Sequence, residues 1–173
     1  MSFWRTFFFI LCFYAGHASG DEVDIPQGII VLSGDKAPAL VLTDLDGNRF
    51  DLQSQRGRWV FVHFWASWCG PCRKEMPTIQ RMASQLESDK FKVVLVNTAE
   101  DDDRVFSFIG IVAPDLTPLM DYDGQVTEHW QPRGLPSTFL IDPQGRRRYL
   151  ALGGRKWDSP EFMAFLQQLI GKQ

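Results

Sequence analysis

"WVFVHFWASWCGPCRKEMP", residues 59–77, is the stretch on which the reading of this chain turns. Its first seven residues are almost continuously apolar and rich in aromatic and β-branched side chains. That is the composition of a strand covered on both faces, so a central strand is expected here. Beyond it Cys72, Met76, Ile79, Ala83 and Leu86 recur at three- and four-residue intervals, which predicts a helix over about 70–88 with one buried stripe. Pro77 falls inside that helix and predicts a kink, because its ring removes a backbone donor and crowds the preceding turn. Two of the three cysteines, Cys69 and Cys72, therefore stand where a buried strand hands over to a helix.

That position has chemical consequences. A cysteine at a helix start faces unpaired backbone N–H groups and the positive end of the helix dipole, and both favour thiolate over thiol. Gly70 and Pro71 make a tight turn that brings Cys72 within disulfide reach of Cys69. Such a dithiol can attack a foreign disulfide through Cys69 and release the mixed disulfide by attack from Cys72. Other uses of the pair fit less well. A zinc site needs two more ligands, and beyond residue 20 the only histidines are the scattered His63 and His129. A purely structural disulfide over two intervening residues constrains the unfolded chain very little. Inert thiols accord poorly with Gly-Pro between them and Trp68 alongside. Trp65 is expected in the core, and Trp68 on an apolar surface that shields the disulfide and receives substrate.

Working outward, "APALVLTDLDGNRFDL" predicts a hairpin with its turn at Asp46-Gly47-Asn48. "FKVVLVNT" reads as a second buried strand, and "DDDRVFSFIG" as an amphipathic helix whose acidic start suits the dipole. Strands are expected at "TPLMDY", "STFLID" and "RRRYLALGG", the last two joined by a turn at Asp142-Pro143-Gln144-Gly145. The closing helix is capped at Asp158 or Ser159, carries Pro160 in its first turn and lays down Phe162, Phe165, Leu166, Leu169 and Ile170 as a stripe. Strands separated by helices, closing with a hairpin and a helix, give an α/β fold with a mixed central sheet flanked by helices.

The 173 residues suffice for one domain with its own core. A hydrophobic fraction of 45%, a charged fraction of 23% and a net charge of -3 describe an ordinary globular composition and give no electrostatic case for nucleic acid. The runs "EDDD" at 100–103 and "RRR" at 146–148 read as solvated turns or helix starts. Residues 1–20 have the layout of a secretory signal, with Arg5, an apolar stretch from Phe7 to Ala15, and small residues at 18–20. An uncleaved anchor is the alternative, although that stretch is far short of the roughly 20 residues a spanning helix needs. Residues 21–34 read as a leader or linker with a short strand near 28–32, and residues 35–173 as the domain. Cleavage removes Cys12 and leaves Cys69 and Cys72 as the only thiols, in a compartment where disulfides form.

"FWASWCGPCRKEMP" resembles the active-site segment of the thioredoxin superfamily, and the preceding "DKAPALVLTDLDGNRFDLQSQRGRWVFVHF" resembles its exported TlpA/ResA-like (DsbE/CcmG-like) branch, with that branch's extra N-terminal β-hairpin. The likeness covers about residues 35–170. It implies a thioredoxin-like fold and a thiol-disulfide oxidoreductase with a redox-active Cys69–Cys72 disulfide, no cofactor and no metal. "GLPSTFLID" matches the segment carrying the family's cis-proline, which implies that Pro136 faces the cysteines and that the Leu135 backbone is free to pair with an extended substrate. Trp68, Gly70, Pro71 and Leu135 are thus the implied substrate-binding residues. His63, six before Cys69, matches the position of a buried acid in thioredoxins, and a histidine there is a departure: it is either a base for Cys72 or a hydrogen-bonded core residue. Glu75 matches an acid near the dithiol of ResA-like proteins and is either a proton buffer for the second thiol or an exposed first-turn acid. The resemblance further implies a monomer in the periplasm that reduces disulfides of exported proteins, apocytochrome c among them, and draws electrons from a membrane thiol reductase. A dithiol oxidase or isomerase, and a Cu(I) module recruiting His129, are the competing readings.

Overall fold

The computed structural model describes residues 23–172. The signal peptide expected over 1–20, with Cys12, lies outside the described residues. Among these, no helix is long and apolar enough to cross a membrane.

Twelve elements follow one another: β1 (Ile29–Val31), β2 (Val41–Asp44), β3 (Arg49–Asp51), β4 (Trp59–Trp65), α1 (Gly70–Leu86), β5 (Phe91–Thr98), α2 (Asp102–Val112), β6 (Leu119–Asp121), α3 (Gln125–Trp130), β7 (Ser137–Ile141), β8 (Arg147–Leu152) and α4 (Pro160–Gly171), with a single 3-10 turn at Leu52–Gln55. The strands form one sheet in the order β1-β8-β7-β4-β5-β6-β2-β3. β4 runs parallel to β5 and antiparallel to β7, and all seven of its residues are buried. A parallel neighbour requires a crossover, which α1 supplies. The expected hairpin is β2–β3, joined to the sheet through β6. The short strand expected in the leader is β1, paired with β8.

Because side chains alternate across a strand, β4 feeds two cores. Trp59, Phe61 and Trp65 pack with Met76, Ile79 and Met82 of α1 and with Phe165 and Leu166 of α4. Val60, Val62 and Phe64 pack with Leu40, Leu52, Trp130 and Phe139 on the opposite face. Burying one such aliphatic or phenyl side chain contributes about 1.5–3 kcal/mol. His63 has the parity of Phe61 and Trp65, so the strand aims it at α1. α1 runs through Pro77 to Leu86 without ending there. Packing of its stripe outweighs the missing backbone bond.

Two details differ from expectation. α3 is an extra six-residue helix between two residues of positive φ, Gly124 at 70° and Gln131 at 50°. Its N–H groups are capped by Asp121 at the end of β6, whose carboxylate accepts from Val126 N–H at 3.2 Å and Thr127 N–H at 2.7 Å. In α4, Met163 joins Phe162, Phe165, Leu166 and Leu169 in the buried set, while Ile170 is half-buried at its margin.

Candidate active site

The cysteines lie at the hand-over that the sheet imposes. Cys69 is the N-cap of α1, in extended conformation, and its Sγ accepts the Cys72 backbone N–H at 3.3 Å. The two residues are joined as a disulfide with their Cα atoms 5.3 Å apart. Cys69 keeps 5% of its surface exposed and Cys72 none. An incoming thiolate therefore meets the Cys69 sulfur first. Beside it Trp68 is 65% exposed, a large apolar side chain turned outward, whereas Trp65 is fully buried against Phe108.

The Leu135–Pro136 peptide is cis. It immediately precedes β7, and Ser137 pairs with Phe64 of β4, so the proline stands at the same sheet end from which β4 runs on toward Cys69. The Pro136 carbonyl accepts from Gly153 N–H at 2.9 Å, while among the described residues no hydrogen bond engages the Leu135 backbone. The loop after β8 closes the other side. Gly154 sits so near the turn between the cysteines that a Cβ there would come within 3.3 Å of the Pro71 carbonyl oxygen. Ligand pockets run to about 300–1,000 Å³; here the cavity volume is about 600 Å³, lined by Gly70, Pro71, Glu75, Thr78, Gly154 and Arg155 together with Lys74 and Lys156.

His63 and Glu75 meet behind the disulfide. Their side chains are 0% and 2% exposed, and His63 Nε2 lies 3.4 Å from Glu75 Oε1. Neither of these atoms has a hydrogen-bond partner within ordinary distance. The opposite ends are held: His63 Nδ1 is 2.9 Å from Thr138 Oγ1, and Glu75 Oε2 accepts from Arg155 N–H at 2.9 Å and from Trp157 Nε1–H at 3.1 Å. Burial lowers the His63 pKa from its ordinary 6.5 to about 3. Burial also raises Glu75 from 4.5 to about 7, against the opposing pull of the Arg155 backbone bond, the Trp157 bond and the Arg155 charge. The reading of Glu75 as an exposed first-turn acid is thus overturned: it is 3% exposed, because it shares the inward face of α1 with Cys72 and Met76.

A single hydrogen between Nε2 and Oε1 satisfies both atoms in either of two arrangements. With Glu75 protonated, its hydroxyl faces a bare Nε2 and Nδ1–H faces the Thr138 oxygen. With Glu75 ionised, Nε2–H faces the carboxylate and Nδ1 is free to accept from the Thr138 hydroxyl.

One residue of the site carried no signal in the sequence. Glu100, read with "EDDD" as part of a solvated run, is 8% exposed, and its carboxylate accepts from Ser67 just before Trp68. Asp101 does behave as expected and caps α2. His129 is exposed on α3, in a separate surface pocket with Gln125, Glu128 and Gln131. Among the described residues no three His, Cys, Asp or Glu side chains cluster as a metal site.

Residues 32–166 match the Redoxin family model. The chain is 34% identical over 116 residues to the thiol-disulfide oxidoreductase ResA of Bacillus subtilis (strain 168), covering 67% of this chain and 65% of that protein. ResA of Geobacillus kaustophilus is 33% identical over 123 residues, 71% of each chain. The chain thus spans about two thirds of the length of these relatives. A crystal structure from Chlorobium tepidum, assigned as the thiol:disulfide interchange protein DsbE, superposes with a TM-score of 0.73 at 31% identity, covering 82% of this chain and all of that one. With the Cys69–Cys72 disulfide on the strand-to-helix junction of this sheet, these likenesses establish that the chain belongs to the Redoxin family, within the ResA/DsbE-like group of the thioredoxin superfamily.

Proposed function

We propose that this protein is a thiol-disulfide oxidoreductase that reduces disulfides of exported proteins. The observation that carries the reading is the Cys69 sulfur, held at the first turn of α1 by the Cys72 N–H, beside an outward-facing Trp68 and an unengaged Leu135 backbone. The helix N-terminus favours the Cys69 thiolate once the pair is reduced. That thiolate attacks one sulfur of a substrate disulfide, forming a mixed disulfide and expelling the first substrate thiolate. Cys72 then attacks the Cys69 sulfur, which re-forms the Cys69–Cys72 disulfide and releases the second substrate thiol. Two electrons pass to the substrate in this cycle.

Cys72 is enclosed, so its proton has to leave through protein groups. Glu75 stands one helical turn further along the same buried face and borders the cavity, and His63 backs it. We assign the pair as the acceptor of the Cys72 proton, with His63 a positioning residue and Thr138 its anchor. Leu135 and Pro136 receive an extended substrate segment, with Trp68, Gly70 and Pro71 completing the contact surface. The substrates are exported proteins, including the Cys-x-x-Cys-His segment of apocytochrome c. A membrane thiol reductase returns electrons to a monomeric protein in the periplasm, where residues 1–20 direct it.

The direction of electron flow is tested by the equilibrium potential of the Cys69–Cys72 couple. A reductant with the Gly-Pro dipeptide is expected near roughly -270 mV, and a value close to about -120 mV identifies an oxidant instead.

A further inference from the structure

The three residues between the end of β4 and Cys69 are held by groups from elsewhere in the chain. Ser67 presents its backbone N–H to Glu100 Oε2 at 2.6 Å and its hydroxyl to Glu100 Oε1 at 2.5 Å. Glu100 Oε2 also accepts from Asn97 Nδ2 at 2.8 Å, and Asn97 is a fully buried residue of β5. From the opposite direction the Ser67 carbonyl accepts from Arg73 in the first turn of α1 at 3.3 Å, and the Arg73 guanidinium lies 5.1 Å over the Phe108 ring of α2. Cys69 N–H closes the segment by donating to Ala66 O at 3.2 Å. Trp68 is left as the single largely exposed side chain of the segment.

Two features of Glu100 are costly to folding. A carboxylate is withdrawn from water, which is tolerated only where it is fully hydrogen-bonded. The residue that delivers it, Ala99, has a φ of 55°, in the left-handed region that a residue with a Cβ seldom occupies. An exposed acid in this loop would need neither. What the arrangement secures is the path of residues 66–69, over 30 residues distant in sequence, and with it the placement of Trp68 and of the Cys69 sulfur.

We propose that Glu100 is a positioning residue of the dithiol reaction, a bidentate clamp on Ser67 that fixes Trp68 and Cys69 for attack on an incoming disulfide. This rests on the exchange reaction of the preceding subsection but adds a residue and a role to it. Held geometry at a reacting atom lowers the barrier by removing motions that must otherwise be arrested. The clamp requires two hydrogen-bonding atoms in carboxylate-like geometry rather than charge. An amide at position 100 can still accept the Ser67 N–H through its oxygen while its NH2 donates to the Ser67 hydroxyl oxygen.

The test compares wild type, Glu100→Gln, Glu100→Ala and Ser67→Ala, each reduced, as reductants of insulin at a temperature where circular dichroism shows all of them folded. Hydrogen exchange is read at the Ser67 amide, and urea unfolding is recorded in parallel. Glu100→Ala is expected to lose about tenfold in the rate of mixed-disulfide formation and to exchange the Ser67 amide about tenfold faster, with Glu100→Gln within about threefold of wild type in both, the scale of effect for an oriented group set loose. A Glu100→Ala protein that is less stable yet reduces insulin at the wild-type rate overturns the proposal, as does a Glu100→Gln protein that loses as much as Glu100→Ala. If Glu100→Ala does not fold, Ser67→Ala removes the hydroxyl arm alone and is expected to slow the step about threefold; an unchanged rate there overturns the clamp. Failure of wild type itself to reduce insulin refutes the exchange reaction instead, and the Ser67 exchange rates then still decide whether the loop is clamped.

Discussion

Replacing Glu75 by Gln isolates one proton in the core. In the wild-type fold Glu75 titrates near 7 rather than at 4.5, because its side chain is enclosed between α1, β4 and the loop after β8. The folded state therefore holds that proton more tightly than the unfolded chain does. The stability this contributes is fully present below pH 4.5 and is lost as the pH rises through 7. Raising this pKa from 4.5 to about 7 corresponds to a stabilisation of about 3 kcal/mol. His63 works in the opposite sense: its folded pKa is depressed from 6.5 to about 3, so its contribution is present above 6.5 and is lost as the pH falls toward 3. Between pH 4.5 and 6.5 the two slopes cancel, and this pair leaves the wild-type stability level. Glu75→Gln keeps an oxygen for the Arg155 and Trp157 donors and offers an amide hydrogen to His63 Nε2, but it removes the titration. Urea unfolding of the oxidised proteins, followed by tryptophan fluorescence at several pH values, reads the difference. Relative to wild type, Glu75→Gln is expected to gain about 3 kcal/mol between pH 4.5 and a pH well above 7. A difference that stays constant over that range refutes the buried proton and, with it, Glu75 as a store for the Cys72 proton.

Other perturbations separate the remaining roles. Cys72→Ser is expected to accumulate a mixed disulfide through Cys69, recoverable by non-reducing electrophoresis and peptide mapping; a complex formed with Cys69→Ser in its place reverses the assignment. His63→Asn is expected to alter the pH dependence of the resolving step, measured by single-turnover kinetics, more than that of the initial attack, because His63 faces Glu75 and Thr138 rather than Cys69. Identical profiles return His63 to a packing role. Trp68→Ala removes an exposed side chain, so unfolding should change by less than about 0.5 kcal/mol while KM for a protein disulfide rises severalfold; an unaltered KM removes Trp68 from the substrate surface.

Much of this architecture is legible in residues 59–86, because a doubly covered strand and an amphipathic helix impose distinct periodicities and the Cys-Gly-Pro-Cys turn falls between them. The closing helix is equally plain, since Pro160 and a three-to-four-residue apolar rhythm define its start and its face. α3 is hidden because a six-residue helix with Val126 and Trp130 as its apolar residues has too little pattern, and its cap, Asp121, belongs to the preceding strand. Glu75 lies on the buried face by spacing, yet an acid there is acceptable only because Arg155 and Trp157, 80 and 82 residues away, supply donors. Glu100 is the extreme case. Its local run is acidic and turn-like, and the donors that draw it inward belong to Asn97 and to Ser67, in a loop brought alongside by the pairing of β4 with β5.

The most direct test of the account is alkylation of the reduced protein with iodoacetamide as a function of pH, with each cysteine quantified by peptide mapping. The N-cap position of Cys69 and the enclosure of Cys72 predict rapid labelling of Cys69 with a midpoint below the free-cysteine value of about 8.5, and slow labelling of Cys72. A Cys69 midpoint above about 9, or equal labelling of both sulfurs across the range, contradicts an attacking thiolate at residue 69.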